Sequence, residues 1–559
     1  PSDARRALVV TELDHAAPTL VETDLATLPP EHRAFAQRML TVARLIDRLY
    51  ARQTGMEAML PRVASDDPAS ASLFRRNWGP RCLGALTERE AACSAIDGAP
   101  RQPVDVYPAA LQGEDDSFCT TLEARPDAQA LLDHFSVVRE GEGGALVAVP
   151  YHEAYGELMR PIAAELRAAA DAMTDPTETA LVAYLRAAAT SFETNDWTPA
   201  DEAWSRMSAR SSRWYVRVGP DETYWEPCSR HAGFHLTFAR INQGSLAWQD
   251  RLSPLRADME GALAALVPDA YTAREVAFTL PDFIDIVVNA GDDRDAFGAT
   301  IGQSLPNWGP VSDEGRGRTV AMSNLYTDAD SRARRRAQAS SLLAAASMGD
   351  YVDDPTPGLL STILHEAGHN LGPSHDYRPS AGSAAGMTDD EAFGGGLASM
   401  LEELKAQSTA LFFVELLSER GILGETQARQ VYTDAIVWSF GHVSRGMYTP
   451  SGQRKAYGQL AAIQLGVLLD EGAIRWDADA PAADGTHRGA FTIDFARLPA
   501  ACRELMTQVM RIKATGDRAA AEALAARYVD GEIVPHAAIV ERYRGFPQAS
   551  FVYAVHGGD

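Results

Sequence analysis

Two histidines and a glutamate lie together in the segment His365-Glu366-Ala367-Gly368-His369. On a helix, side chains four residues apart leave the same face about one turn (~6 Å) apart. That is the spacing at which two imidazoles can hold one tetrahedral zinc ion. Glu366 would then stand beside the metal, placed to take a proton from an attacking water and to return it to a leaving amine. Amide hydrolysis needs both transfers, so the pattern predicts one bound Zn2+ and a peptide substrate. The plainer account, a core helix whose histidines are satisfied by hydrogen bonds, demands costly partners for two imidazoles and a carboxylate on an apolar helix.

Two residues compete as third ligand. His375 completes a His-Glu-x-x-His-x-x-Gly-x-x-His pattern, with Gly372 free to turn the chain, as metzincin-type endopeptidases do. Glu403, next to Glu402 on a second long helix, would complete the two-histidine, one-glutamate set that catalytic zinc also uses. A solvated Glu402-Glu403 face paired with Lys405 is the ordinary account of such a pair. Asp389 and Asp390 are candidates for carboxylates that orient the histidines from behind.

The elements that must position these groups can be read from pattern. Thr356-Pro357 is a helix-start signature, with threonine as cap and proline in the first turn, and Gly372-Pro373 is a stop signature. Leucines and alanines recur at three- and four-residue steps over 30–60, 155–190, 255–268, 392–420 and 500–530, which predicts helices. Runs rich in β-branched and aromatic residues predict strands at 214–218, 233–242, 283–289 and 549–555. The last of these is expected to return to the β unit. Loops are expected near 100–117, 374–390 and 476–488.

A chain of 559 residues is too long for one ordinary core. With 46% apolar and 23% charged residues it has a globular composition. The net charge of -25 argues against a nucleic acid partner, whose phosphates demand lysine and arginine. No run of eighteen apolar residues predicts a membrane span. The sequence begins at Pro1 without a methionine, so loss of a leader, a lipid-anchor segment or a tag is one expectation, and both cytoplasmic and periplasmic placements stay open. Five cysteines give no disulfide framework. Cys82, Cys93 and Cys119 can hold one bridge in an oxidising compartment, or all can stay reduced.

Several separated segments resemble, in order, motifs of the dipeptidyl peptidase III family. Glu222-Thr-Tyr224 looks like its Glu-x-Tyr element, and residues 281–292 look like the strand that follows. Gly302-Gln-Ser304-Leu-Pro-Asn307-Trp308 is similar to Gly-x-Asn-x-Pro-Asn-Tyr. Leu397-Ala-Ser-Met-Leu-Glu402-Glu403-Leu-Lys405-Ala-Gln407 resembles Leu-Ala-Ser-x-x-Glu-Glu-Cys-Arg-Ala-Glu, whose second glutamate is a zinc ligand. Tyr448-Thr-Pro450, Ala456-Tyr457-Gly-Gln459 and residues 467–472 resemble later helices. The resemblance spans about residues 220 to 475 and implies His365, His369 and Glu403 as ligands. It also implies that Glu222 and Asn307 hold the substrate's amino end, with Ser304 beside them, and that Tyr224 assists the oxyanion.

Three departures stand out. The zinc segment is one residue shorter than the family's His-Glu-x-x-x-His. Ser304 replaces an asparagine. Tyr457 stands where the family has a transition-state histidine, although a phenol can donate to an oxyanion as an imidazole can. His442, one helix earlier, is a substitute donor or an ordinary packed histidine, and Trp308 is more often core than a substrate platform.

Together these readings predict an α+β, mainly helical fold of two lobes, a β-containing lower lobe and a helical zinc-binding upper lobe, separated by a cleft. The expected segments are 1–204, mostly helical; 205–310, the lower-lobe β core; 311–545, the helical catalytic lobe; and 546–559, the returning strand. The activity expected is cleavage near the free amino terminus of short peptides. Hydrolysis of another amide or ester, and silent peptide binding, are the alternatives.

Overall fold

From Pro30 the sequence places Phe35, Met39, Val42, Ile46 and Leu49 at three- and four-residue steps behind a proline start, and this run forms helix α1 (Pro30–Gln53), with that stripe buried. It does so in a computed structural model that describes residues 3–98, 102–113, 116–276, 280–299, 302–374, 377–380, 382–449 and 452–557. The class is α+β and mainly helical, as expected from pattern.

The chain divides into two units, Pro1–Asn242 with Asp282–Ser331 and Pro547–Asp559, and Gln243–Pro281 with Arg332–Phe546. These do not follow the four consecutive segments expected. Residues 1–204 share a unit with the β core, and residues 243–281 belong with the helical unit. The return of the carboxy-terminal segment was expected, whereas the excursion of 243–281 into the helical unit has no mark in composition.

In the first unit α1 packs on α2 (Gly156–Ala172), which packs on α3 (Thr179–Thr194). A five-stranded sheet is built from β2 (Trp214–Pro220), β3 (Phe234–Ile241), β4 (Asp282–Gly291), β5 (Gly302–Leu305) and β6 (Arg318–Met322), in the order β2-β3-β4-β6-β5. It is mixed, because β4 pairs with β6 in parallel while the other neighbours are antiparallel. Every residue of β2 is buried, which explains its unbroken apolar and aromatic run.

The carboxy-terminal strand β7 (Gln548–His556) does return to this unit, but its ladder partner is β1 (Ala16–Asp24), in parallel from Ala16 opposite Gln548 to Asp24 opposite His556. Its link to the rest of the β structure is a bridge between Ser550 and Gly298 together with packing near β4. Residues 16–24 fell inside a region read as helical, and a single half-buried strand that begins Ala-Ala-Pro gives little pattern against that background.

Two disulfides tie the first unit, Cys82–Cys93 and Cys119–Cys228, while Cys502 is a buried free thiol. The first lies within the expected cluster. The second joins residues 109 apart in sequence, which no spacing rule reveals. Among the described residues no helix is long and apolar enough to cross a membrane.

The second unit is organised around a long helix, α5 (Gly395–Glu419), whose residues from Leu404 to Val414 are all buried. It is surrounded by α4 (Thr356–Asn370), α6 (Glu425–Val443), α7 (Ala456–Asp470) and α8 (Leu498–Thr515). A helix buried on all sides must find a partner for each polar group it carries, and α5 carries Lys405, Gln407, Ser408 and Thr409 inside.

Of the two disulfides, Cys119–Cys228 closes the longer loop and therefore restrains the unfolded chain more. Replacing both of its cysteines by alanine is expected to cost about 4–5 kcal/mol and several degrees of melting temperature. The same change at Cys82 and Cys93, which closes an 11-residue span, should cost less. Calorimetry of the two variants checks the order, and equal losses would contradict it.

Candidate metal centre

Helix α4 begins one residue earlier than its signature suggests: Pro355 is the cap, and the Thr356 N–H donates to Asp354 Oδ1 at 2.8 Å. Its end is set by Gly372, in the left-handed region at φ 63, whose N–H donates to Glu260 Oε2 at 2.8 Å. Leu360, Ile363, Leu364 and Ala367 bury one face. At Gly368 the helix meets α5 backbone to backbone. A Cβ there would lie 2.9 Å from the Cα and carbonyl oxygen of Ala406 and 3.0 Å from Thr409 Cβ.

That approach puts His365 and His369 against Glu403. The ring centroids of the histidines are 5.0 Å apart, and the Nε2 atoms of His365 and His369 lie 3.2 and 3.8 Å from Glu403 Oε2. One ligand atom from each residue falls within 4.8 Å of the others. A tetrahedral ion with bonds of ~2.1 Å has ligand atoms about 3.4 Å apart, so the spacing fits. Among the described residues Glu403 Oε2 is buried with no hydrogen-bond partner, and its near neighbours are the two imidazole Nε2 atoms. His375 lies outside the described residues.

Each imidazole is oriented from behind. His365 Nδ1 pairs with Gln407 Oε1 at 3.1 Å and His369 Nδ1 with Glu402 Oε1 at 2.9 Å. Both acceptors require the proton on Nδ1, which leaves the Nε2 lone pairs toward Glu403. Burial works against charge on His365, but Glu403, Glu366 and Gln407 outweigh it, and the net direction is upward. Burial likewise opposes ionisation of Glu403, and the two histidines and Tyr457 reverse the balance and lower it.

Glu402 is no solvated face residue. Its carboxylate touches Lys405 Nζ at 3.0 Å and Lys513 Nζ at 2.7 Å, and both lysine side chains are wholly buried. Those lysines and His369 overcome the burial penalty and hold Glu402 far below the usual carboxylate range. Lys405 also donates to the carbonyls of Leu371 and His369, at 3.0 and 3.3 Å, closing the end of α4, and burial draws its ammonium down to about 8. Asp389 acts one step further out, bonded to Lys513. Asp390 sits in the first turn of the short helix Asp389–Phe393 and does not take part.

Glu366, half-buried on α4, bears electrostatically on both His365 and Tyr457. Tyr457, in the first turn of α7 and 41% exposed, has its ring 6.4 Å from that of His365 and its hydroxyl on Glu403. Burial and the Glu403 charge keep this phenol protonated. His442 packs against Trp438 and Tyr457 at 4.2 and 5.2 Å, and burial pushes its imidazole down to about 3. It is a neutral, packed histidine.

The remaining candidates lie in the first unit. Glu222 follows β2, its carbonyl accepting from the Gly233 N–H at 2.8 Å, and its carboxyl hydrogen-bonds Asn307. Burial raises the Glu222 carboxyl, with Asn307 opposing. Tyr224 stands on the same loop and is 84% exposed. Ser304, on β5, shares a hydrogen bond with Thr319 at 2.7 Å. Trp308 is part-buried and stacks on His134, with centroids 4.0 Å apart.

Behind Glu222 lies a buried ionic network that sequence reading missed. Arg217 binds Asp201 and Asp221, and His235 is held between Asp221 and Asp293 at 2.7 Å each. Burial disfavours the imidazolium, but the two carboxylates overcome it and raise His235 to about 10. The residues come from separate strands and helices, so no local spacing announces them. Gln407 did carry a signal, four residues beyond Glu403 on one helix.

The fold and site define a two-unit α+β protein whose helical unit presents two histidines and a glutamate around one point. Among solved structures, DPP III from Caldithrix abyssi matches with a TM-score of 0.79 at 23% identity, over 97% of this chain and 98% of that one. Dipeptidyl-peptidase III from Corallococcus sp. strain EGB matches at 0.66 and 23%, over 98% and 97%. The chain therefore has the dipeptidyl peptidase III fold in divergent form. No protein-family model matches it. Among curated proteins, Nudix hydrolase 3 of Arabidopsis thaliana is 22% identical over 411 residues, 73% of this chain and 49% of the plant protein, so the chain spans about half the length of that relative.

Two outcomes follow from this geometry. Gly368→Ala should destabilise the second unit by about 2 kcal/mol through overpacking and weaken metal binding by separating α4 from α5; unchanged melting and metal affinity would contradict the close approach. The His235 pair contributes stability in full below about pH 6.5. That contribution is lost as pH rises through the folded value near 10. Denaturation midpoints measured from pH 6 to 10 should fall in the native protein and fall less in His235→Gln.

Proposed function

We propose that the protein is a zinc-dependent peptidase of the dipeptidyl peptidase III kind, cleaving near the free amino terminus of short peptides. The observation that carries this is the convergence of His365 Nε2, His369 Nε2 and an unpartnered Glu403 Oε2 within a fold shared with those peptidases. The donor set of two imidazoles and one carboxylate suits a catalytic zinc site. When bound there, the ion supplies Lewis acidity that acidifies a water and polarises a carbonyl.

The chain's own residues do the rest. Glu366 removes the proton from the attacking water and passes it to the leaving amine. Tyr457, kept protonated, has a hydroxyl hydrogen to give to the oxyanion, and Tyr224 is the exposed phenol proposed to share that task. Glu222 and Asn307, already paired, offer a carboxylate and an amide oxygen to a substrate ammonium, with Ser304 nearby in sequence.

A second reading, hydrolysis of another amide or an ester, is favoured by Ser304, whose hydroxyl is engaged with Thr319.

Metal analysis followed by assays on dipeptidyl naphthylamides, with and without chelator, tests the proposal. Activity should need the metal and a free amino terminus, so an N-acetylated substrate should fail. Glu366→Gln should keep the metal and lose roughly 1000-fold in turnover. Glu403→Ala should lose the metal and His375→Ala should keep it. The opposite pair of results would make His375 the ligand, and a metal-free, inactive native protein would overturn the reading.

A further inference from the structure

Helix α8 carries none of the residues that motif or resemblance selects, yet it sends Lys513 into the surroundings of the metal cluster. The Lys513 side chain is wholly buried, with Nζ bonded to Asp389 and 2.7 Å from Glu402 Oε2. The other oxygen of Glu402 lies 2.9 Å from His369 Nδ1 and 3.0 Å from Lys405 Nζ. A continuous file of contacts thus runs Asp389, Lys513, Glu402, His369.

A glutamate turns about three side-chain bonds, so an imidazole held by its carboxylate is only as fixed as the carboxylate. Lys405 sits on the same helix as Glu402, three residues on, shares the oxygen that faces His369, and is also engaged with the carbonyls of Leu371 and His369. It restrains the carboxylate along α5 but does not hold its far oxygen. Lys513 reaches that oxygen from a different helix and so sets the rotation of the group. Asp389, 5% exposed, neutralises and orients the ammonium in turn. Among the described residues nothing comparable stands behind His365, whose partner is the neutral amide of Gln407.

We propose that Lys513, oriented by Asp389, is a positioning residue for the metal centre: it locks Glu402 against His369 and thereby fixes the Nε2 lone pair of that ligand. The role rests on the reading that His365, His369 and Glu403 bind a metal. It requires no change of protonation, only a fixed charge in a fixed place, and it predicts effects on the metal that loss of packing alone does not produce.

The test uses the full chain, with zinc affinity from competition against a chelating dye and the visible spectrum of the cobalt(II)-loaded protein as readouts. Lys513→Met should weaken zinc binding by roughly 10-fold or more and shift the cobalt bands, and Asp389→Asn should do the same to a lesser degree. Because Lys513→Met leaves Asp389 buried without its cation, the double variant Lys513→Met/Asp389→Asn, which removes both charges, decides the matter if the single one does not fold. Leu505→Ala, a cavity on the same helix, is the control for general loosening, and it should lower the melting temperature while leaving affinity and spectrum as in the native protein. A folded double variant with native zinc affinity and native cobalt bands overturns the proposal, as does a Leu505→Ala spectrum that moves in the same way. A native protein that takes up no metal instead overturns the reading of the site on which the proposal stands.

Discussion

The second unit depends on the contact between α4 and α5 at Gly368. Three candidate ligand atoms come from two helices, and their separation is set by how closely the helix axes approach. With no side chain at 368 the backbone of Ala406 can come within van der Waals reach, and Glu403, one turn before, is carried to the two imidazoles. Any larger residue would spread the helices and the ligands with them. Gly368, at a position the His-Glu-x-x-His pattern leaves open, is therefore a steric requirement, and it matters as much as the groups that do chemistry.

Both units answer the cost of buried charge by pairing, but with different balances. Around His369, Glu402 and Asp389 face Lys405 and Lys513, two negative groups against two positive. Behind Glu222, Asp201, Asp221 and Asp293 face Arg217 and His235, three against two. A buried ion left without its counterpart is destabilising by several kcal/mol, so each member of these networks constrains its neighbours. The first network carries no net charge. The second keeps a negative excess near a carboxyl already raised by burial, an environment in which a cationic group is the natural neighbour.

Much of this could be read from sequence because it is local. Periodicity placed α5 and α8 of the second unit, though not α6 or the helix Ala329–Leu342, and the strands at 214–218, 233–242 and 283–289, and the start and stop signals of α4 were read to within about two residues. What could not be read is what depends on residues distant in sequence. The pairing of β7 with β1, the bond between Cys119 and Cys228, the dependence of Glu402 on Lys513 and the burial of Lys405 involve partners that nothing local marks. Lys405 shows the general limit: on sequence a lysine near two glutamates is a surface residue, and only the central position of α5 turns it into a buried cap for the neighbouring helix.

The two histidines differ in what stands behind them, and this has a chemical consequence. A carboxylate hydrogen-bonded to a ligating imidazole makes the ring a stronger donor to its metal, while an amide orients the ring with little such push. Gln407 occupies the position at which the dipeptidyl peptidase III motif has a glutamate, so His365 is oriented by a neutral group. Glu402 remains an anion behind His369, but its charge is shared with two buried ammonium groups. Both imidazoles are thus held in place while the electron density fed to them is limited. Orientation supplied by buried charges that cancel is what allows the geometry of Glu402 and His369 to be strict.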